Sequence, residues 1–138
     1  MPTAGLFNTL TTWDAHFVYP GGLKMRFMDD ITAGREKPHP GVAGGHGTLM
    51  VGTTGWVRVS RDGWGFSNDE IRQKARDPGP KRLVASSDQI RNFVDCVLSR
   101  QQPVGDLHSA VRSDILCHLV DISVRTGKKL EWDNKKET

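Results

Sequence analysis

Glycines cluster between residues 41 and 47, where the chain reads GVAGGHG. Glycine-rich loops hold phosphates when they follow a strand and open a helix, because the backbone N–H groups then converge on the anion. The dinucleotide pattern G-x-G-x-x-G does not fit this spacing, and the residues that follow predict a strand rather than a helix. The segment is therefore predicted to be a turn-rich loop. No residue of this chain is assigned to cofactor binding.

The five histidines are the next candidates for chemistry. His39 and His46 share a loop region with Asp29 and Asp30, but a catalytic zinc site needs three protein ligands that converge on one point. The sequence contains no HxxxH or HxH pair, so no metal ligand is assigned. His16 lies on a predicted strand, from which it can face a ligand cleft or a subunit partner. It is a candidate substrate-binding residue.

Nucleophiles are equally hard to find in this sequence. The chain lacks the G-x-S-x-G turn that presents a reactive serine. Cys96 and Cys117 lie in predicted helices, without a sequence context that would activate a thiol. Free thiols in a reducing compartment are expected, and a disulfide between the two helices is also compatible with the sequence. No catalytic residue is assigned, and the chain alone is predicted to be inactive.

Alternating apolar residues predict strands in the first half of the chain. Pro20-Gly21-Gly22 predicts a hairpin turn between the first two strands, and Asp62-Gly63 predicts another turn. A long loop is predicted over 29–47, and a short helical turn over 69–74. The predicted strands are, in order, 13–19, 23–28, 48–53, 56–61 and a short return strand at Trp64 and Phe66.

Helical periodicity dominates the last third of the chain. Apolar residues at 90, 93, 94, 97 and 98 predict an amphipathic helix that begins at a capping box of Ser86 and Gln89. A second helix is predicted over 106–126, with Asp106 as its N-cap and Gly127 as its C-cap. Beyond it, aromatic and apolar residues at 130 and 132 predict one last strand.

Strands that precede helices predict an α+β fold: a mainly antiparallel open β-sheet with two long C-terminal helices packed on one face. The length of 138 residues predicts a single domain over 1–138. The family resemblance described below implies that this domain is a partial one. The predicted helix–sheet core consists of Phe93, Val97, Ile115 and Leu119.

The outer face of the predicted sheet keeps apolar side chains, among them Val18, Met28 and either Met50 or Trp56. Large apolar patches are unusual on monomers, so this face is predicted to make a homo-oligomer, with a two-fold dimer as the simplest form.

Charge and hydropathy exclude several classes of protein. The net charge is +3, with 36% hydrophobic and 25% charged residues, and the basic residues are scattered along the chain. A nucleic-acid-binding protein would concentrate them on a stripe, so no nucleic-acid partner is expected. The start of the chain has no signal-peptide pattern, and no apolar run can span a membrane. A cytoplasmic location and no membrane partner are expected.

Four phrases resemble, in order and spacing, the C-terminal domain of Gfo/Idh/MocA-family oxidoreductases, and they cover most of the chain. They are LFNTLTTWDAHFVYPGGLKMRF, HGTLMVGTTGWVRVSRDG, SSDQIRNFVDCVLSRQQPVGD and HLVDISVRTGKKLEWD. The resemblance implies that the Rossmann domain, which binds NAD or NADP in a full-length relative, is missing from this chain. It also implies a substrate-contacting and oligomerisation role, with a sugar-like small molecule as the parent enzyme's substrate.

The resemblance suggests two further substrate-binding candidates, Arg112 and His108. Where relatives commonly read DVEIGHRS, this chain carries His108 in place of Glu and Val111 in place of His, while Asp106 and Arg112 match. The family also has an EKP motif with a catalytic lysine at the end of its nucleotide-binding domain. Glu36-Lys37-Pro38 lies instead among strands that resemble the other domain, so this match is interpreted as a coincidence.

Two other functions remain open from the sequence. The chain can be a stand-alone, non-enzymatic ligand-binding or protein-interaction module that kept this fold without the cofactor domain. A small metal hydrolase is the third hypothesis, and it depends on histidines that lack metal-site spacing.

Overall fold

A computed structural model describes residues 4–37, 39–41, 46–77, 79–80, 84–133 and 135–136. The chain divides into two compact units, a strand unit over 1–80 and a helical unit over 81–138. Within the described residues the fold is α+β, with four helices and two small antiparallel open sheets. This confirms the predicted fold class, including its C-terminal helices. The strands form two separate sheets rather than one.

The first sheet is the predicted hairpin, formed by β1 (Asp14–Val18) and β2 (Lys24–Met28). Its register pairs His16 with Arg26 and Phe17 with Met25. Alternation places the aromatic residues on one face, where the rings of Trp13 and Phe27 lie 5.6 Å apart. The opposite face carries Val18 and Met28, as expected from alternation, together with the charged side chains of Asp14, Lys24 and Arg26.

A helix, α1 (Asp30–Glu36), occupies part of the segment predicted to be a loop over 29–47. The prediction is wrong there because Asp29 is an effective N-cap. Its carboxylate accepts hydrogen bonds from the Thr32 backbone N at 2.9 Å and the Thr32 hydroxyl at 2.6 Å. It also accepts one from the Trp13 backbone N at 2.7 Å, which ties α1 to the hairpin. The helix ends at Lys37, whose φ of 44° is left-handed.

The second sheet has the strand order β3 (Thr48–Val51), β4 (Trp56–Ser60), β5 (Gly63–Phe66). Its strands confirm the three predicted elements, with β3 ending two residues earlier than expected. A helix, α2 (Asp69–Arg76), follows β5 and confirms the predicted helical turn. Asn68 caps α2 by accepting a hydrogen bond from the Ile71 backbone N at 2.9 Å.

The helical unit contains α3 (Gln89–Ser99) and α4 (Leu107–Thr126). The N-cap of α3 is Asp88, which accepts from the Arg91 backbone N at 2.9 Å. The predicted capping box at Ser86 is therefore wrong, because the Ser86 hydroxyl bonds instead to the backbone of Asp88. The caps predicted for α4 are confirmed: Asp106 begins it, and Gly127, with φ 65°, ends it.

Two further predictions for the helical unit are wrong. Residues 128–133 contain no strand, since this segment has no hydrogen-bonded strand partner among the described residues. In the expected core, Phe93 and Val97 are exposed by 60% and 46%. The other two expected core residues, Ile115 and Leu119, are half-buried, and the buried apolar residue of α4 is Val120 at 4% exposure. Among the described helices, none is long and apolar enough to cross a lipid bilayer.

Candidate functional site

The charged face of the hairpin brings together four ionisable side chains. We call Asp14, His16, Arg26 and Glu36 the hairpin cluster. Antiparallel register sets His16 opposite Arg26, and Asp14 is the diagonal neighbour of Arg26. The last residue of α1, Glu36, reaches the same guanidinium. The cluster is thus assembled by one strand pair and by the N-cap that orients α1.

Arg26 is the centre of this cluster. Its Nε donates to Asp14 Oδ1 at 2.8 Å and its Nη2 donates to Asp14 Oδ2 at 2.5 Å, a two-pronged pairing. Nη2 also contacts the Glu36 carboxylate. The hydrogen bonds from Arg26 hold the pKa of Asp14 below its ordinary value, and the two carboxylates raise the pKa of Arg26. Both groups therefore stay charged at neutral pH, which suits ligand contact and not proton transfer.

His16 is the predicted site residue that this cluster includes. Its Nε2 lies 3.4 Å from Asp14 Oδ1, and its side chain is 67% exposed. A shallow depression of about 360 Å³ opens beside it. The depression is lined by His16, Phe17, Val18, Lys24, Met25 and Arg26. These groups can contact a polar ligand through hydrogen bonds and positive charge.

The other two predicted site residues, His108 and Arg112, lie one turn apart on α4 and are exposed. Asp106 holds the start of this helix by accepting from the backbone N atoms of His108 and Ser109, at 3.2 and 3.0 Å. The Ser109 hydroxyl also donates to it and is the main cause of a lowered pKa at Asp106. His108 and Arg112 belong to the helical unit, whereas His16 belongs to the strand unit.

The remaining sequence candidates have structural roles or lie outside the described residues. Nδ1 of His39 accepts a hydrogen bond from the Gly41 backbone N at 3.0 Å. The His39 and Trp56 rings are nearly perpendicular, with their centroids 6.0 Å apart. No group of three or more His, Cys, Asp or Glu in the described part could hold a metal ion. Pro38 and residues 42–45 of the glycine-rich loop lie outside the described residues, and Lys37 is the C-cap of α1.

The two cysteines are free thiols in the structure. Cys96 is half-buried on α3, and Cys117 is exposed on α4. The structure therefore does not contain the disulfide between these two helices that the sequence left open.

The three-stranded sheet carries a second candidate site, an apolar face that sequence reasoning located only in part. Its register places five apolar side chains on one side. We call this set the sheet surface; it consists of Met50, Val57, Val59, Trp64 and Phe66. Met50 and Trp64 are exposed by 55% and 65%, and the Trp64 and Phe66 rings lie 6.2 Å apart. The alternation of Trp64 and Phe66 was the signal that could have identified it.

The opposite side of this sheet is covered only in part by its own chain. Gly41 is buried there, and a Cβ at this position would lie 2.9 Å from Leu49 Cδ1 and 3.0 Å from the Trp56 ring, whereas Val51 on the same side is 61% exposed. The sheet surface, with Met50 and Trp64, presents the larger set of exposed apolar side chains. A shallow depression of about 400 Å³ adjoins it. That depression is lined by Trp64, Phe66, Asn68, Asp69 and Arg72.

Comparisons with protein-family models, curated proteins and solved structures gave no significant match to this chain.

Proposed function

We propose that the chain is a substrate-contacting and oligomerisation domain of an oxidoreductase of the Gfo/Idh/MocA type, with no cofactor site of its own. The observation that carries the proposal is the sheet surface, on which Met50 and Trp64 present more than half of their area to solvent. Exposed large apolar side chains set in register on a sheet are typical of a protein interface. The occupant proposed is a second copy, since one self-complementary patch closes most simply about a two-fold axis.

The substrate-contacting part of the proposal concerns the hairpin cluster. His16 is exposed beside a guanidinium that two carboxylates hold in place. A fixed array of donors and acceptors suits a ligand rich in hydroxyl groups, such as a sugar-like molecule. NAD or NADP would be bound by the separate domain of a full-length relative.

The competing proposal is a stand-alone, non-enzymatic ligand-binding or interaction module. One observation favours a role without an enzyme substrate: Arg26 is engaged by both Asp14 and Glu36, so attachment of α1 to the hairpin can account for the cluster. Both proposals use the sheet surface for association. They differ in whether a cofactor domain accompanies the chain.

Substitution of Met50 tests the association proposal. Sedimentation velocity of the wild-type chain should show self-association at about 100 µM, and Met50→Asp should raise the dissociation constant of the sheet-surface contact at least about tenfold because it buries a charge. The matched control is Val18→Asp, which charges an apolar side chain that is 75% exposed on the hairpin. A monomeric wild-type chain contradicts the proposal. Equal effects of the two variants would move the interface away from the sheet surface.

A further inference from the structure

A second apolar surface lies on α3, in the helical unit. Its side chains recur at i, i+3, i+4, i+7 and i+8, which places them on one side of the helix. We call this set the α3 stripe. Its members and their exposed fractions are Ile90 79%, Phe93 60%, Val94 44%, Val97 46% and Leu98 77%. An exposed stripe of this width is the usual signature of a helix that packs on a partner.

The connection between α3 and α4 attaches to the other side of α3. Asn92, on the polar side, accepts a hydrogen bond from the Val104 backbone N at 2.9 Å through its Oδ1. The connection to α4 thus folds back over the polar side. The α3 stripe is left facing solvent within this unit, in agreement with its exposed fractions.

We propose that the α3 stripe pairs with the same stripe of a second copy, antiparallel, about a two-fold axis near Val94. The exposed fractions add up to about three whole side chains. At roughly 150 Å² each, the lower figure for an aromatic side chain, they leave at most about 450 Å² per copy. Two copies would bury about 900 Å², which falls in the size range of weak, transient interfaces and suits a second copy bound with micromolar affinity or weaker.

Charge selects the antiparallel arrangement. Arg91 and Asp95 lie on one flank of the α3 stripe and already pair within the helix, with Arg91 Nε 3.0 Å from Asp95 Oδ1. A two-fold axis perpendicular to the helices places this flank of one copy against the same flank of the second copy. Arg91 of each copy then faces Asp95 of the other, which gives two reciprocal ion pairs. A parallel pairing would instead set this flank against Gln89 and Cys96, which offer no charge.

This pairing is independent of the sheet surface, because the two surfaces lie in different units. One two-fold contact alone closes a dimer. Two different two-fold contacts on one chain extend the assembly to a closed tetramer or an open chain. The proposal therefore goes beyond dimerisation through the sheet and predicts a larger assembly at high concentration.

Disulfide trapping tests the arrangement directly. The background is Cys96→Ser, Cys117→Ser, with Met50→Asp added to remove association through the sheet surface. Val94→Cys, next to the axis, should cross-link to itself on mild oxidation at about 100 µM. Ile90→Cys and Leu98→Cys lie on opposite sides of the axis. Each should cross-link poorly alone and efficiently when the two variants are mixed.

Every outcome of this experiment decides the proposal. Efficient self-linking of Ile90→Cys would show a parallel pair and overturn the antiparallel arrangement. Absence of any cross-link would overturn pairing with a second copy.

A second measurement removes dependence on oxidation chemistry. In the Met50→Asp background, Phe93→Asp should raise the dissociation constant for residual association at least about tenfold. The matched control, Val84→Asp, charges a residue that is 73% exposed ahead of α3 and should leave association unchanged. If the single substitution Met50→Asp abolishes all association, the proposal of sheet-mediated dimers stands and the proposed α3 pairing is refuted. Persistence of dimers in Met50→Asp and their loss in Phe93→Asp would support the α3 pairing.

Discussion

The turn before β4 offers a sharp test of how the sheet surface is positioned. Gly55 has φ 151°, and a Cβ on it would lie 2.1 Å from Ser67 Oγ and 2.5 Å from Ile71 Cδ1. Ser67 Oγ accepts a hydrogen bond from the Trp56 backbone N at 3.0 Å. Gly55→Ala must therefore displace the residue that links β4 to the end of β5. That displacement should disturb the neighbouring ring of Phe66.

The cost of Gly55→Ala follows from three contributions. A positive φ in a residue with a Cβ costs roughly 1–2 kcal/mol. Loss of the Ser67 hydrogen bond costs about 1 kcal/mol, and overpacking costs about 1 kcal/mol or more. The expected total is about 3–4 kcal/mol in the free energy of unfolding. The matched control is Gly22→Ala: its φ is 85° and no atom lies within 4 Å of the added Cβ, so it pays only the backbone cost of about 1–2 kcal/mol.

Urea unfolding followed by tryptophan fluorescence measures both variants. With a slope of about 2 kcal/mol per molar urea, Gly55→Ala should lower the midpoint by about 1 M more than Gly22→Ala does. A difference below about 0.5 kcal/mol between the two variants would refute the packing described for this turn.

Three further predictions concern the core, pH and cofactor. Val120→Ala should cost about 2 kcal/mol in thermal or urea unfolding because Val120 is 4% exposed, whereas Val111→Ala on the same helix, at 50% exposure, should cost less than about 1 kcal/mol. Hydrogen bonds from Thr32 and from the Trp13 backbone lower the pKa of Asp29 to about 2 from an ordinary 3.8, so its contribution to stability is present above pH 4 and is lost as pH falls toward 2. Asp29→Asn should flatten that part of the stability-against-pH curve, and an unchanged curve would contradict the assignment. NADH titrated into the chain and followed by fluorescence should not show saturable micromolar binding, and saturation would contradict the absence of a cofactor site.

Local patterns in the sequence predicted the elements whose signals are local. The hairpin followed from strict alternation, and α4 followed from a good N-cap at Asp106 and a glycine at its end. The α3 N-cap was misplaced by two residues because Ser86 and Asp88 are both suitable caps, and only the hydrogen bond to the Arg91 backbone distinguishes them. Helix α1 was missed because Gly34 and the prolines and glycines after it favour a loop.

Contacts between segments that are distant in the sequence could not be predicted from local patterns. The last predicted strand fails because a strand needs a partner, and pairing is not encoded in the segment itself. The contact between Arg26 and Asp14 could be derived from the hairpin register, once alternation had set it. The contact with Glu36 could not, since it depends on α1 and on the Asp29 cap. His16 was placed correctly on a strand, but its carboxylate neighbour could be identified only from the register.

The central claim is that Trp64 becomes buried when two copies associate. Fluorine NMR of the chain labelled with fluorotryptophan tests it directly, because the chain has four tryptophans and Trp64→Phe assigns the relevant signal. Between about 10 µM and about 1 mM, the Trp64 signal should shift and lose its dependence on the H₂O/D₂O ratio of the solvent. The Trp132 signal, from the helical unit, serves as the internal reference. In Phe93→Asp, which removes the α3 pairing, a Trp64 signal that keeps its full solvent dependence while sedimentation shows a dimer would contradict the account.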